Sequence, residues 1–471
     1  MRNNVNFVAP TCAYVESLVT RIGMSEEKTK LVLAHVENVL KKRIETAYYD
    51  EGDITLDVLV GLDRIIFQVK DQGIPYWIDV EEAESSPYRA DRYQLEIGTD
   101  GQCFSMRFYL EPGADADAYE GQDAPEEELL DSNLHIRRAL PNEKDIVEVL
   151  RCIHSNYGYG YINRSVYDMN HMKAILEEES QWSYLGYNDH DQIMAHMSVA
   201  FYDELPGICE IGGLVCKPYC RGHNVANRLN TAVCKDVEIS GVNGVFGMAV
   251  AFHDMSQRIA LKQGLIPTGV MLHYMVPESA GEYRDGNRRQ ECCLCARLFT
   301  GKTYKLSAPV EHQEFIRSRY QKMGCDCEFV EPAELSGLTD FTVAAVNEIR
   351  MGKIFIENAN HDFEKKLKGM MKDFVRNQVE MVEVFVNMNN PSAANIYEML
   401  KRKGFSFSGI LPGSEKGEYM VMQHLMKNPV EWDKIVTAGE FTEVINYIRA
   451  AREKQMAELA EIKARKEQLD K

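Results

Sequence analysis

The sequence predicts an α+β protein: a mixed, mostly antiparallel sheet flanked by helices, in tandem with a degenerate copy of itself and preceded by a small α/β sandwich. Three observations predict this. Alternating apolar runs recur between amphipathic stretches along most of the chain. An acidic segment rich in breakers sets the first hundred or so residues apart. The long stretch after that segment is followed by a fainter version of its own ending.

The chain has 471 residues, too many for one ordinary core. The sandwich covers 1–110, with helical patterns at Tyr14–Gly23 and Glu26–Tyr49 and strand patterns at Ile54–Leu59, Arg64–Lys70 and Gln102–Leu110. A linker covers 111–133. Its stretch Glu111–Asp131 holds nine acidic residues and no basic one, with Pro112, Gly113, Gly121 and Pro125 as breakers.

The main domain covers 134–300. Strands are expected at Leu134–Ala139, Trp182–Tyr187, Gln192–Phe201, Cys209–Val215, Gly244–Ala251, Val270–Met275 and Gln290–Phe299. Helices are expected at Glu143–His154, Val166–Glu177, from about Val225 to Ser240, and at Met255–Lys262. The second copy covers 301–428. Val382–Met388, a helix from Pro391, Gly404-Phe405 and Tyr419–Leu425 mirror the earlier ending, whereas Met351–Val379 carries only a basic amphipathic helix. A helical tail, 429–471, closes the chain, its last 20 residues reading as a solvated face.

Net charge is −19, which argues against bulk binding to nucleic acid or to an anionic membrane. No apolar run is long enough for a membrane span and no signal-like h-region opens the chain, so a cytoplasmic protein is expected. Cys292, Cys293 and Cys295 form one cluster and Cys325 and Cys327 another. They read as buried reduced thiols, Cys293 facing away from Cys292 and Cys295, and no metal is expected.

The chemistry concentrates at Val215–Leu229, VCKPYCRGHNVANRL. Pro218 ends a strand, Gly222 turns the backbone, Asn224 tolerates left-handed geometry and Ala226 is small. First-turn N–H groups and the helix dipole then form an anion site, to which Arg221 adds a guanidinium fork. A diphosphate is the expected guest.

Strand, then Arg221, Asn224 and Ala226 opening a long helix, resembles the signature of the GNAT superfamily of acyl-CoA-dependent N-acyltransferases, with Asn224 in place of a glycine. The flanks EIGGLVCKPYCRG and AVAFHDMSQRIALKQGLIPTG are similar as well. The resemblance implies that acetyl-CoA lays its pantetheine arm against Gly213, Leu214 and Val215, and its pyrophosphate on the backbone of Arg221, Gly222, His223, Asn224, Val225 and Ala226. It implies direct attack of an amine on the thioester, with the protein supplying position, a base and an oxyanion donor. Glu210 is the candidate base. The family's closing tyrosine falls on Ala260, which leaves His253 or Ser256 to replace it. Tyr157, Tyr159 and Tyr161, spaced by glycines, read as the substrate loop.

Residues 28–75 resemble the GHKL-type ATP-binding fold of anti-sigma-factor serine kinases. LAHVENVLKKRIETAY is similar to its ATP-site helix and VKDQGIP to its Asp-x-Gly-x-Pro box. Lys41 or Lys42 stands where a magnesium-holding asparagine belongs, and the glycine-rich lid is missing, so no ATP is expected. The expected function is acetyl transfer from acetyl-CoA to a primary amine of a small molecule or protein. The alternative is a non-enzymatic regulator of anti-sigma-factor type that responds to CoA or nucleotide. A homodimer or a protein partner through the N-terminal domain or the C-terminal helix stays open.

Overall fold

The structure, a computed structural model, describes residues 1–48, 51–61, 64–74, 90–98, 101–110, 133–221, 223–346, 349–426 and 429–469, and every element and contact named belongs to these. The chain divides into two compact units, Met1–Ala124 and Pro125–Lys471. The division falls inside the acidic segment, whose residues 111–132 lie outside the described residues, as do Pro75 and Gly222.

In the first unit, Ser25 accepts a hydrogen bond from the Lys28 N–H at 3.2 Å and so starts the longer helix. The order is α1 (Val8–Arg21), α2 (Glu26–Thr46), β1 (Ile54–Val60), β2 (Arg64–Asp71), β3 (Arg92–Gly98) and β4 (Gly101–Tyr109). The strands pair antiparallel in the order β1-β2-β4-β3. Ile65, Phe67 and Val69 alternate into a core with Phe104, Met106 and Phe108, closed by Val15, Val19, Val32, Val36 and Leu40 of the helices. Strand β3 is the addition to the sequence reading. It hides behind charge, because Arg92 and Glu96 stand on a sheet edge.

The second unit runs β5 (His135–Arg138), α3 (Glu143–Tyr157), α4 (Met169–Glu177), β6 (Gln181–Tyr187), β7 (Ile193–Phe201), β8 (Ile208–Cys216), α5 (Val225–Ile239), β9 (Gly244–Val250), α6 (Met255–Lys262), β10 (Ile266–Met275) and β11 (Gln290–Leu298). It continues through β12 (Thr303–Leu306), α7 (Val310–Lys322), β13 (Asp326–Phe329), β14 (Asp340–Val346), β15 (Met351–Asn358), α8 (Phe363–Arg376), β16 (Met381–Asn387), α9 (Ala393–Arg402), β17 (Ser406–Leu411), β18 (Tyr419–Leu425) and α10 (Glu440–Leu469).

One 12-stranded sheet holds this unit, in the order β14-β15-β16-β18-β17-β10-β11-β9-β8-β7-β6-β5. Most neighbours are antiparallel. The parallel pairs in it are β8 with β9, crossed over by α5, and β15 with β16, crossed over by α8. The succession β8-α5-β9-α6-β10-β11 therefore recurs as β15-α8-β16-α9-β17-β18. Strands β10 and β17 join the two stretches through the pair Gly269 and Gly409.

Three expectations change here. Met351–Val379 carries a buried strand before its helix, because Ile354, Phe355 and Ile356 form a short run whose periodicity is masked by burial on both faces. Cys293 and Cys295 share one face of β11 and Cys292 takes the other, as a period of two requires. The start of α10 is core and not tail, for Phe441, Val444, Ile445 and Ile448 are all buried.

The hairpin after β17 folds back on the loop before β8. Glu415 donates its backbone N–H to the Pro206 carbonyl at 2.8 Å, and Asn243 Nδ2 donates to the Gly413 carbonyl at 3.1 Å. Leu205, Ile208 and Phe246 consequently share an apolar cluster with Phe385, Leu411 and Tyr419. The sheet thus curls until β8 and β16 face one cluster.

Candidate active site

Strands β8 and β9 begin as neighbours, with Ile208 opposite Gly244, Cys209 opposite Val245 and Glu210 opposite Phe246. Pairing ends there, although both strands run on to Cys216 and Val250. The two diverge and leave a wedge whose walls are backbone. On its other edge β8 pairs with β7, but the register shifts: Ser198 faces Gly212 while His196 faces Val215. Gly213 and Leu214 form the bulge between them.

Gly213 has φ +57, and a Cβ there would stand 2.7 Å from Ser198 Oγ and 3.2 Å from the Tyr161 hydroxyl. Only glycine fits. His196 supports this bulge from below, its Nδ1 lying 3.0 Å from the Gly213 carbonyl. A carbonyl only accepts, so Nδ1 carries the proton, and the buried Nε2 has no partner among the described residues. Burial pushes the imidazole down to about 4, so the ring is neutral at neutral pH.

Glu210 sits half-buried on β8 beside the wedge and accepts a hydrogen bond from the Tyr202 hydroxyl at 2.6 Å. That carboxylate, with burial second, holds the Tyr202 phenol well above its usual value. The Tyr161 phenol is also raised, by burial first and then by Tyr157 and Glu210. Tyr157 packs 5.2 Å from Tyr161, and Tyr159, 76% exposed, packs 5.1 Å from His154. The tyrosine loop thus comes together with Gly213 and Glu210 through Tyr161, while Tyr159 faces solvent.

Past β8, Pro218–Cys220 makes one 3₁₀ turn and the chain enters α5 through Asn224. Asn224 is left-handed at φ 62 and ψ 12, and its side chain makes no cap hydrogen bond. Helical bonding starts with the Arg228 N–H to the Asn224 carbonyl at 3.1 Å, so the first-turn N–H groups precede the helical ladder. The Ala226 N–H turns toward the Cys216 thiol at the end of β8, a thiol that burial pushes up to about 12. Arg221 is exposed and donates Nη2 to Asn156 Oδ1 at 2.8 Å, and Asn156 in turn donates to the Cys216 carbonyl at 3.0 Å. His223 is exposed and Val225 buried. The loop's guanidinium is therefore anchored to the strand that ends in the wedge.

Of the two expected substitutes for the missing tyrosine, His253 lies in an aromatic corner after β9. His253 packs 5.0 Å from Phe252 and 5.1 Å from Tyr283. Ser256 opens α6 with a buried hydroxyl that has no partner among the described residues, and Ala260 is core. Tyr161 and Tyr202 are instead the phenols beside Glu210. Sequence reasoning did not single out Tyr202 or His196. Both lie on or just after β7 and reach the site by cross-strand pairing, which no local spacing announces.

In the first unit, Asp71 is held by Arg43 in a two-point pair, with Nε to Oδ2 at 2.9 Å and Nη2 to Oδ1 at 2.6 Å. Gln102 Nε2 and the Gly73 N–H also donate to Oδ1, at 3.0 Å and 2.9 Å. Lys41 pairs along the helix with Glu37 at 2.6 Å. Among the described residues no group of three or more metal-ligating side chains comes together, and no helix is long and apolar enough to cross a membrane.

No family model matches the chain, and no curated protein matches it in sequence. Solved structures similar to part of it are N-acetyltransferases. An N-acetyltransferase from Staphylococcus aureus is 9% identical with a TM-score of 0.30, over 36% of this chain and 100% of its own. The ribosomal-protein-S18-alanine N-acetyltransferase from Escherichia coli is 10% identical with a TM-score of 0.29, over 36% and 95%. The spermidine N-acetyltransferase from Vibrio cholerae, solved with CoA and spermine, is 10% identical with a TM-score of 0.30, over 35% and 95%. Likeness at this level, over about a third of the chain, assigns neither a substrate nor a reaction.

Proposed function

We propose that the protein transfers an acetyl group from acetyl-CoA to a primary amine, and that residues 134–300 form a GNAT fold. The observation that carries this reading is the wedge: β8 and β9 part after Glu210 and Phe246, beside a glycine bulge and just before a left-handed entry to a helix. An extended chain fits between parting strands, where backbone donors and acceptors lack a ladder partner. A phosphate fits at the start of α5, with Arg221 alongside. Residues 213–215 and 221–226 are the proposed CoA contacts.

Acetyl-CoA, when bound, supplies a thioester carbonyl open to attack by an amine. In this reading Glu210 takes the proton that the ammonium must lose before it can attack. Tyr161, over Gly213, is the hydroxyl best placed to return a proton to the departing thiolate, ahead of His253 and Ser256. His196 keeps the bulge in position through its bond to the Gly213 carbonyl. The first unit is read as a GHKL-like sandwich, and 301–428 as a second GNAT-like copy without an Arg-Gly entry to its helix α8. The regulator reading asks Asp71 to recognise a nucleotide, and Arg43 already occupies that carboxylate.

Calorimetric titration of acetyl-CoA into the protein and into Arg221→Glu is the test. Binding to the wild type and loss in the variant, with an unchanged melting profile, is the expected result. Full affinity in Arg221→Glu sinks the assignment of the loop.

A further inference from the structure

Strands β15 and β16 are the later counterpart of β8 and β9, and they do not part. They pair from Met351 and Met381 to Ile356 and Val386, almost to their ends at Asn358 and Asn387. Backbone groups already paired with each other leave no wedge for an extended chain. What this stretch offers instead is the hairpin loop 412–418 between β17 and β18, which reaches the turn 202–207 between β7 and β8.

The Pro206 carbonyl accepts two bonds from that loop, the Glu415 N–H at 2.8 Å and Ser414 Oγ at 3.1 Å. Lys416 Nζ donates to the Asp203 carbonyl at 2.8 Å. Asn243, just before β9, joins the two turns: its N–H donates to the Gly207 carbonyl at 2.7 Å and its Nδ2 to the Gly413 carbonyl at 3.1 Å. The loop is itself braced from behind. The Gly413 N–H donates to the buried Glu418 carboxylate at 2.9 Å, and Asn387 Nδ2 donates to the Lys416 carbonyl at 2.9 Å.

The turn held in this way carries Tyr202. The Leu205 N–H closes it on the Tyr202 carbonyl at 3.0 Å, and the Tyr202 hydroxyl donates to Glu210 at 2.6 Å. Tyr202 is 40% exposed, so the backbone that carries the ring, more than a surrounding core, sets its position. We propose that the hairpin loop of the second stretch is a positioning element for the active site. Ser414, Lys416 and Asn243 fix the turn, the turn fixes Tyr202, and Tyr202 holds the Glu210 carboxylate in place. The proposal rests on the acetyl-transfer reading for the role of Glu210 as base. It gives the second stretch a task that requires no ligand of its own.

The test needs no acceptor. A carbodiimide with glycinamide labels the protonated carboxyl, and mass spectrometry of the whole protein after digestion gives the rate at Glu210. A hydroxyl donating to a carboxylate favours the ionised form, so losing that bond speeds the labelling. Tyr202→Phe should raise the rate at Glu210 about threefold to tenfold, the range a hydrogen bond to a charged group allows. Ser414→Ala with Lys416→Met, which leaves both strands of the hairpin untouched, should do the same, and so should Asn243→Ala. Adding Tyr202→Phe to the loop variant should bring no further rise, because both act through one bond. Glu238 on α5 is the control and should keep its rate. An unchanged rate at Glu210 in the loop variant, effects that multiply with Tyr202→Phe, or an equal rise at Glu238 overturns the proposal. Calorimetry of acetyl-CoA runs beside it. If acetyl-CoA binds but labelling ignores the loop, this inference falls and acetyl transfer survives. If the loop governs labelling but acetyl-CoA does not bind, the grip on Tyr202 stands and the transferase reading falls.

Discussion

Arg43 and Asp71 meet inside the first unit as a two-point ion pair, each side chain only 1% exposed. Removing one partner strands the other in an apolar core. Arg43→Met should therefore destabilise the first unit by about 3–5 kcal/mol, and the double variant Arg43→Met with Asp71→Leu should recover most of it. Chemical denaturation followed by a first-unit probe would show this. A small loss in the single variant would mean that water reaches the pair. Titration of Mg-ATP should give no heat of binding, because Asp71 is already bound on both oxygens.

Asn224 bears left-handed geometry at the mouth of α5. Asn224→Gly should leave stability within a few tenths of a kcal/mol or raise it slightly, and keep acetyl-CoA affinity. A β-branched residue pays the full steric cost of that conformation, so Asn224→Val should lose about 1–2 kcal/mol and weaken acetyl-CoA binding. Thermal melts alongside calorimetry distinguish a strained cap from a disrupted anion site.

Glu210→Gln should lower kcat about 100-fold or more while acetyl-CoA affinity stays the same, since a base acts in the chemical step and not in CoA binding. Tyr161→Phe should lower kcat as well. His253→Gln and Ser256→Ala should have small effects, because His253 packs against Phe252 and Tyr283 and the Ser256 hydroxyl is buried at the start of α6. A large loss in either would return the general acid to that corner.

His312 is buried, stacked 4.0 Å from Phe407, and bonded to the Tyr447 and Tyr397 hydroxyls at 2.8 Å and 2.9 Å. Burial pushes it down to about 4. Between that value and the unfolded value of about 6.5, the unfolded chain binds the proton and the folded protein does not. The stability this group confers is complete above about 6.5 and drains away as pH falls toward 4. Glu291 and Glu418, raised to about 7 by burial, work in the opposite sense, losing their contribution as pH rises through 7. His312→Gln should therefore flatten the fall in stability on acidification by about 1.4 kcal/mol per pH unit in that window. An unchanged slope would show that the ring is already protonated in the folded state.

Strand β8 and the turn into α5 were legible because their signals are local: a short apolar run, a proline and Asn224 close together, whereas the bulge at Gly213 was not announced. Glu210 was singled out only through the family resemblance. What the sequence could not show was anything set by the curl of the sheet. Glu383 sits in VEVFVNM, an ordinary buried strand by pattern, and nothing local marks it as a buried carboxylate without a hydrogen-bond partner among the described residues. Tyr202 and His196 reach the site through pairing of β7 with β8, and register is a property of two strands together. The substitutes His253 and Ser256 were picked by position along the chain, and the turn after β9 directs His253 toward Tyr283.

Strands β10 and β17 cross at Gly269 and Gly409, where a Cβ on the first would stand 2.4 Å from the Ser408 carbonyl and one on the second 2.4 Å from the Thr268 carbonyl. Main chain touches main chain there, and two hydrogen atoms act as the spacer for everything hung on either side. The spacing of the two halves of the sheet is measured out from that crossing. A single methyl group added at either glycine would pry the halves apart like a shim in a hinge, and the change would be felt along strands that neither glycine touches.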